Sequence, residues 1–517
     1  MPSVESSRAL VIGGGVGGLT AAIELAARGL SVTVLERAQS LGGKMRVVEL
    51  AGRSLDVGPT VLTMRWVFDA VFSQVGRRFE DYVKLSPAEV LARHTWADGA
   101  RLDLFHDVGR SAEAIGAFAG AQEAKGYRAF VAHTKTIFDN VEGPFLRAER
   151  PTLGSVLRQQ GLKGLASLTR IDATRTLWRS LGDFFRDPRL LQLFGRYATY
   201  AGSSPFLCPA TLAVIAHVER EGVWYPVDGM ISVAQGLERL GAELGVQYRL
   251  GCEVREVLVE QGRAAGVVLA SGEVLRAEVV VANAAVEALA AGRLGAGVKH
   301  AVEVDPRAGR SLSAVTYAMV ARASGFPLVR HNVFFSRDYH REFNEIFEQG
   351  RLPSEATVYV CAQDRDDRGG VRAGEAGERL FMIVNAPARG GLRALTRTEI
   401  DACETQTQGF LARLGLNIAW AEAPRVTTTP DDFEAMFPAT GGALYGPPSH
   451  GWTSPMLRAG SRSKVKGLYL VGGSTHPGAG VPMVAQSGRL AATAVAEDLA
   501  STARSFRAAT PGGMLTR

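Results

Sequence analysis

Ala9-Leu10-Val11-Ile12-Gly13-Gly14-Gly15-Val16-Gly17-Gly18-Leu19 places a glycine turn directly after a short apolar run. Residues 19–28 continue with helical spacing. Residues 31–35 form a second apolar strand that ends on Glu36. Strand, turn, helix, strand and acid fall in the order of a dinucleotide-binding βαβ unit, with Gly13, Gly15 and Gly18 at the G-x-G-x-x-G positions. Each glycine has a physical task. Gly13 permits the tight turn, Gly15 lets a pyrophosphate approach the backbone, and Gly18 lets helix and strand pack closely. The helix N-terminus offers free N–H groups and partial positive charge to the phosphates. Glu36 can accept both ribose hydroxyls and disfavours a 2′-phosphate by repulsion. This unit alone suits NAD or FAD.

Composition limits the remaining choices. The 517 residues allow several folding units, and 46% hydrophobic with 21% charged residues describes a globular chain. The four cysteines, Cys208, Cys252, Cys361 and Cys403, form no C-x-x-C pair, so neither a disulfide framework nor a metal site is implied. The N-terminus lacks a basic, cleavable signal pattern. No run of 18 or more apolar residues predicts a membrane span.

Further along, Gly42-Gly43-Lys44 and Asp56-Val57-Gly58-Pro59-Thr60 are glycine turns able to fold back over a pyrophosphate. Residues 246–250, 254–259 and 264–269 alternate like an antiparallel meander, before a buried-strand run ends at Asn283. Residues 300–440 read as a second β-rich region. The chain closes with Leu468-Tyr469-Leu470-Val471-Gly472-Gly473-Ser474-Thr475-His476-Pro477-Gly478 and then a helix from about Val481, a second strand-to-helix glycine turn. Two such turns at opposite ends of a chain suit one extended ligand, and FAD fits better than NAD.

The net charge of +6 is local. Residues 145–200 hold ten Lys or Arg against four acids, an excess equal to that of the whole chain. Aromatic and aliphatic residues interleave with them, which predicts either docking on an anionic bilayer or a helix pair packing its apolar stripe inward. No nucleic-acid-binding motif accompanies the charge.

The glycine fingerprint with Glu36, the turns at 42–44 and 56–60, the Asn283 strand and the closing run together resemble the bacterial carotenoid (phytoene-type) desaturases, FAD-dependent enzymes of the amine-oxidase-like group. Residues 58–64 and Phe194-Gly195-Arg196-Tyr197-Ala198-Thr199-Tyr200 are most similar to the 1-hydroxycarotenoid 3,4-desaturases (methoxyneurosporene dehydrogenases) of photosynthetic bacteria. The resemblance implies a mixed α/β chain. A Rossmann-like FAD-binding domain of the amine-oxidase or glutathione-reductase-2 type would come from residues 1–75, 225–295 and 455–505. A sheet-plus-helices substrate and membrane-docking domain would come from 76–224 and 296–454, with a loose tail at 506–517. It implies FAD held by Gly13, Gly15, Gly18, Glu36, Gly43, Lys44, Gly58, Pro59, Thr60, Val254, Asn283, Gly472, Gly473 and Val481. An acid that many flavoproteins carry at position 473 is absent, which leaves the ribityl contact to backbone, Ser474 or Thr475. The implied reaction is desaturation of a C40 carotenoid by hydride transfer to flavin, in an apolar tunnel filled from the cytoplasmic face of the inner or intracytoplasmic membrane. Candidate proton acceptors are His217, Glu219, Glu221, Asp228 and His476. A phytoene or neurosporene desaturase, a carotene isomerase or oxygenase, or a non-catalytic isoprenoid-binding chaperone like the GDP-dissociation inhibitors are the alternatives.

Overall fold

The computed structural model describes residues 7–146, 148, 149, 171–305, 309–372, 377–389 and 393–508. Its first sheet has five parallel strands in the order Leu468–Leu470, Val279–Ala282, Arg8–Ile12, Ser31–Leu35 and Gln247–Arg249. Both faces are covered, as a parallel sheet requires. Ala9, Val11, Val32, Val34, Val279 and Val281 point to one side, against the helices Val16–Ala26, Ile231–Glu243 and Val481–Ala508. Leu10, Ile12, Leu35, Val280 and Leu470 point to the other, where the three-stranded meander Val254–Glu260, Arg263–Leu269, Val274–Arg276 packs.

The opening helix is buried from Val16 to Leu25 because small residues let its neighbours approach. A Cβ on Gly18 would lie 2.1 Å from the carbonyl oxygen of Gly13, and one on Gly488 would lie 2.5 Å from the carbonyl oxygen of Gly17. The first contact sets the helix on its strand. The second sets the closing helix on the opening one.

The second sheet has seven strands: Arg425–Thr428, Ser313–Ala321, Glu378–Ala386, Val358–Ala362, His331–Phe334, Val90–Thr95 and Arg101–Phe105. All neighbours are antiparallel except His331–Phe334 with Val90–Thr95. Tyr317, Met319, Val360, Met382 and Val384 on one face bury against Phe410 and Leu411 of the helix Arg397–Arg413. The other face is left for the site.

Three expectations are corrected, and for one left open between two readings the described part follows one of them. Residues 247–249 do not open the meander. They pair parallel with Ser31–Leu35, because the helix before them packs on the same sheet and returns the chain in the parallel sense. The hairpin Val47–Leu50 and Arg53–Asp56, expected with the first domain, packs Leu55 against Val320, Cys361 and Phe381 of the second sheet. The Asp56 N–H donates to Gln363 Oε1 at 3.2 Å, while Gln363 Nε2 donates back to the Asp56 carbonyl at 2.7 Å. The closing helix continues to Ala508, into the segment read as tail; residues 509–517 lie outside the described residues. Of the basic stretch 145–200, residues 147, 150 and 151–170 lie outside the described residues. In the rest, Leu177, Leu181, Phe185 and Phe194 are buried, with Phe185 stacked on Phe194 at 4.6 Å. Arg175 pairs with Asp172 and Asp183, and Arg189 with Asp187 and Asp98. That part turns its apolar stripe inward.

The same substitution should have opposite signs at two helical glycines. Gly409 has only the tip of Arg413 near it, at 3.9 Å. Gly409→Ala should therefore stabilise by about 0.5–1 kcal/mol through helix propensity. Gly18→Ala should destabilise by about 1–3 kcal/mol because the methyl meets backbone. Urea midpoints of the two variants, compared with the parent, check this.

Candidate active site

A cavity of about 1490 Å³ lies between the two sheets, and the glycine turns form one end of its wall. The turns stack in series. The Gly13 N–H, at φ +93°, donates to the Leu35 carbonyl at 2.8 Å. The Gly42 N–H donates to the Gly14 carbonyl at 2.9 Å, and a Cβ on Gly43 would come within 3.1 Å of Gly15 Cα. A Cβ on Gly58 would stand 2.1 Å from the Lys44 carbonyl oxygen, so residues 58–60 form a third layer. Glu36 is held at the strand tip, accepting from the N–H groups of Gly14 at 2.7 Å and Ala38 at 2.8 Å. Asn283 Nδ2 donates to the Gly13 carbonyl at 3.1 Å, and its Oδ1 lies 3.0 Å from where a Gly472 Cβ would be.

Gly13, Gly15, Glu36, Gly43, Lys44, Gly58, Pro59, Thr60, Val254, Asn283, Gly472, Gly473 and Val481 all line this cavity. Gly18 does not, since it is spent on helix packing. Residues at two helix starts, Val16 and Gly17 of one and Val481 and Pro482 of the other, share the wall. Their N-terminal N–H groups lack intrahelical partners. This donor set, with the Asn283 carboxamide between the two turns, fits a dinucleotide of extended shape. At the turn after Gly473 both hydroxyls have partners within the protein, which leaves the backbone of Gly472 and Gly473 facing the cavity. Thr475 Oγ1 donates inward to the Gly472 carbonyl at 2.6 Å, and Ser474 Oγ accepts from the Val286 N–H at 3.0 Å.

Lys44 is set by its surroundings. Its ammonium donates to the Leu444 carbonyl at 2.6 Å and stands 5.2 Å from the centre of the Phe437 ring. The residue as a whole is exposed, on the cavity wall, while its ammonium is buried among protein atoms. That burial lowers its pKa to about 8, partly offset by attraction to Glu287. Arg458 donates to the carbonyls of Gly473 at 3.0 Å and Pro447 at 2.7 Å, and burial lowers it to about 10. Burial raises Glu287, whose Oε2 has no hydrogen-bond partner.

Away from the turns the wall becomes apolar. Phe138, Val141, Phe145, Ile215 and Val218 line one side, and Phe381 and Ile383 of the second sheet line the other. Of the predicted proton acceptors only Glu219 reaches this wall, with its oxygens accepting from Tyr197 at 2.5 Å and Tyr200 at 2.8 Å. His217 packs on the Phe138 ring and contacts Arg220. His476 is buried against Phe145, its Nε2 2.7 Å from that residue's carbonyl, and burial lowers it to about 4. Asp228 and Glu221 are exposed. These four do not line the cavity. Among the polar residues that do, and that residue type alone does not single out, are Arg196, Tyr200, His331, Tyr339 and Tyr359. The only local signal for any of them was the Arg196–Tyr200 segment.

A parallel sheet whose glycine turns face a second, antiparallel sheet across one apolar cavity defines a flavin-dependent oxidoreductase, and the resident cofactor is FAD. The chain belongs to the flavin containing amine oxidoreductase family, whose model matches residues 16–496. It is 51% identical to a hydroxyneurosporene desaturase of Rubrivivax gelatinosus, over 99% of this chain and 98% of that protein. It is 42% identical to one of Cereibacter sphaeroides, over 96% and 99%. The fold is similar to that of a solved putrescine oxidase with a TM-score of 0.58 at 16% identity, covering 96% of this chain and 99% of that one.

The low pKa of Lys44 sets a pH dependence in cofactor-free protein. Between about 8 and the ordinary 10.5 the unfolded chain binds more protons than the folded one, so stability rises with pH across that window. Denaturant midpoints at pH 8 and pH 9.5 should show this rise, and Lys44→Met should remove its share.

Proposed function

We propose that this protein desaturates a C40 carotenoid bearing a 1-hydroxy end group, at the 3,4 bond. The observation that carries the reading is the apolar cavity, continuous with the glycine turns. A long hydrocarbon offers few polar handles, and this wall asks for few. The names of the two relatives supply the substrate class. Bound flavin supplies a two-electron acceptor for the hydride that leaves carbon. The protein's own residues do the remaining work. The stacked turns and Glu36, Val254 and Val481 would hold the cofactor. Phe138, Ile215, Val218 and Phe381 exclude water and align the chain. Glu219, with both oxygens occupied, holds Tyr197 and Tyr200 and is not assigned a proton transfer.

Substrate of this kind resides in a bilayer, so the reading includes peripheral docking. Among the described residues no helix is long and apolar enough to cross a membrane. Leu207, Trp452 and Leu457 are exposed, at 41%, 54% and 66%. The Gly451 N–H donates to the Leu207 carbonyl at 3.1 Å, which gathers them. Trp452 and Met456 also line the cavity, so this apolar patch adjoins an opening.

Anaerobic FAD-loaded protein mixed with a 1-hydroxycarotenoid should lose flavin absorbance and yield a product with one more conjugated double bond. Flavin that stays oxidised with every carotenoid offered would refute the reading. In liposome flotation, the double variant Trp452→Asp, Leu457→Asp should bind several-fold less than the parent while retaining its FAD. Equal flotation would remove the docking patch from the proposal.

A further inference from the structure

Within the apolar part of the cavity one group of polar side chains has hydrogen-bonding capacity left over. Arg196 begins the helical turn Arg196–Ala201 and lines the wall. Among the described residues its guanidinium forms no ion pair, and its one hydrogen bond is a long one, 3.3 Å to Tyr200 Oη. It lies between two rings, 5.3 Å from the centre of Tyr200 and 5.5 Å from that of Tyr359. A guanidinium carries five N–H donors, so most of its capacity is unused. Glu219 attracts it at longer range, but both carboxylate oxygens accept from Tyr197 and Tyr200 and leave the guanidinium N–H groups to other acceptors.

Facing the same space is His331, 2% exposed, on the strand His331–Phe334. Tyr359 Oη donates to Thr60 Oγ1 at 2.8 Å and lies 2.5 Å from His331 Nδ1. With the tyrosine proton spent on Thr60, the network assigns the imidazole proton to Nδ1, and Nε2 becomes a lone-pair acceptor. That Nε2 is buried and has no partner. Tyr339 Oη, on the same wall, is also buried without one. Burial, reinforced by Arg330 and Arg196, holds His331 neutral. A buried acceptor left unpaired incurs its whole desolvation penalty, and a plain hydrocarbon cannot relieve it.

We infer that Arg196 and His331 form a subsite for the substrate's terminal hydroxyl, Arg196 donating to its oxygen and His331 Nε2 accepting its proton in a hydrogen bond. This rests on the desaturase reading above and names what that reading requires. The placement also matches the chemistry. His331 is tied through Tyr359 to Thr60, and residues 58–60 lie directly on the Lys44 turn, which lies on Gly15. A short rigid chain of contacts therefore sets the hydroxyl's distance from the cofactor end. A 1-hydroxy group is only two carbons from the 3,4 bond, so fixing one fixes the other. Tyr359, Thr60, Tyr200 and Glu219 are positioning residues here.

The test uses FAD-loaded protein, anaerobic flavin bleaching, and two substrates, a 1-hydroxycarotenoid and its unhydroxylated counterpart. Sites that hydrogen-bond a substrate hydroxyl can reject the analogue lacking it by about 10⁴–10⁵, so the preference has room to fall. In Arg196→Met the ratio of kcat/KM for hydroxylated over plain carotene should drop about 100-fold, and in His331→Phe about 10-fold. Arg196→Lys, which keeps a single point donor, should recover part of the ratio. Equilibrium binding followed by the carotenoid's visible spectrum should show the same change in preference, and it decides for any variant too slow to turn over. FAD content and melting temperature identify a misfolded variant, in which case His331→Phe decides. An unchanged ratio, or equal loss on both substrates at parental FAD content, overturns the subsite. Parental protein that bleaches with neither carotenoid overturns the desaturase reading and the subsite with it.

Discussion

The carboxamide of Asn283 is the contact on which the site depends. Its strand, Val279–Ala282, lies between Arg8–Ile12 and Leu468–Leu470, so the residue at its tip reaches both glycine turns. The Nδ2 group donates to the Gly13 carbonyl, and the Oδ1 atom abuts Gly472. Cβ atoms on Gly15 and Gly17 would also come within 3.1 and 3.3 Å of it. There is room for this amide only because four neighbours have no side chain. The two turns, from opposite ends of the chain, are thereby held as the two ends of one binding surface.

The cavity is polar where it must be and apolar elsewhere. At the nucleotide end the polar groups are mostly backbone, pre-aimed by two helix starts and by three stacked turns. Backbone donors lose little entropy on ordering, since the fold has already fixed them. In the middle, side chains of the second sheet and of the helices above it exclude water. Polar side chains reappear around Arg196, where Tyr200, Glu219, Tyr359 and Thr60 satisfy one another and leave Arg196 and His331 unspent. An interior charge without an ion-pair partner costs stability. Its retention in an otherwise apolar wall is what a bound polar group would repay.

Much of the nucleotide end was legible because its signals are local. Gly13, Gly15, Gly43 and Glu36 sit within one βαβ unit and the turn after it, and short-range sterics demand those residue types there. The proton-acceptor candidates rest on residue type alone, and most of them lie away from the cavity. His217 and His476 are packed among aromatic rings, and Asp228 lies on an exposed turn. Residue type does not state which way a side chain points. The strand at 247–249 departs from the meander for a similar reason: alternation marks a strand but does not choose its partner. Arg196 and Tyr200 lay in a segment noticed for its resemblance, yet their use could not be read there.

By itself the sequence determined the βαβ unit, the glycine turns at both ends, a second β-rich region within 300–440, and the family. Each follows from periodicity and backbone sterics over a few residues. The tertiary structure alone decided that the hairpin before residue 57 joins the second sheet and that Gly18 serves packing and not the cavity. It also decided that Thr60, Arg196, His331 and Tyr359 meet around one space. Those contacts join residues far apart in the chain. Their energies come from burial and from hydrogen bonds that exist only once both sheets are in place, and no local pattern encodes them.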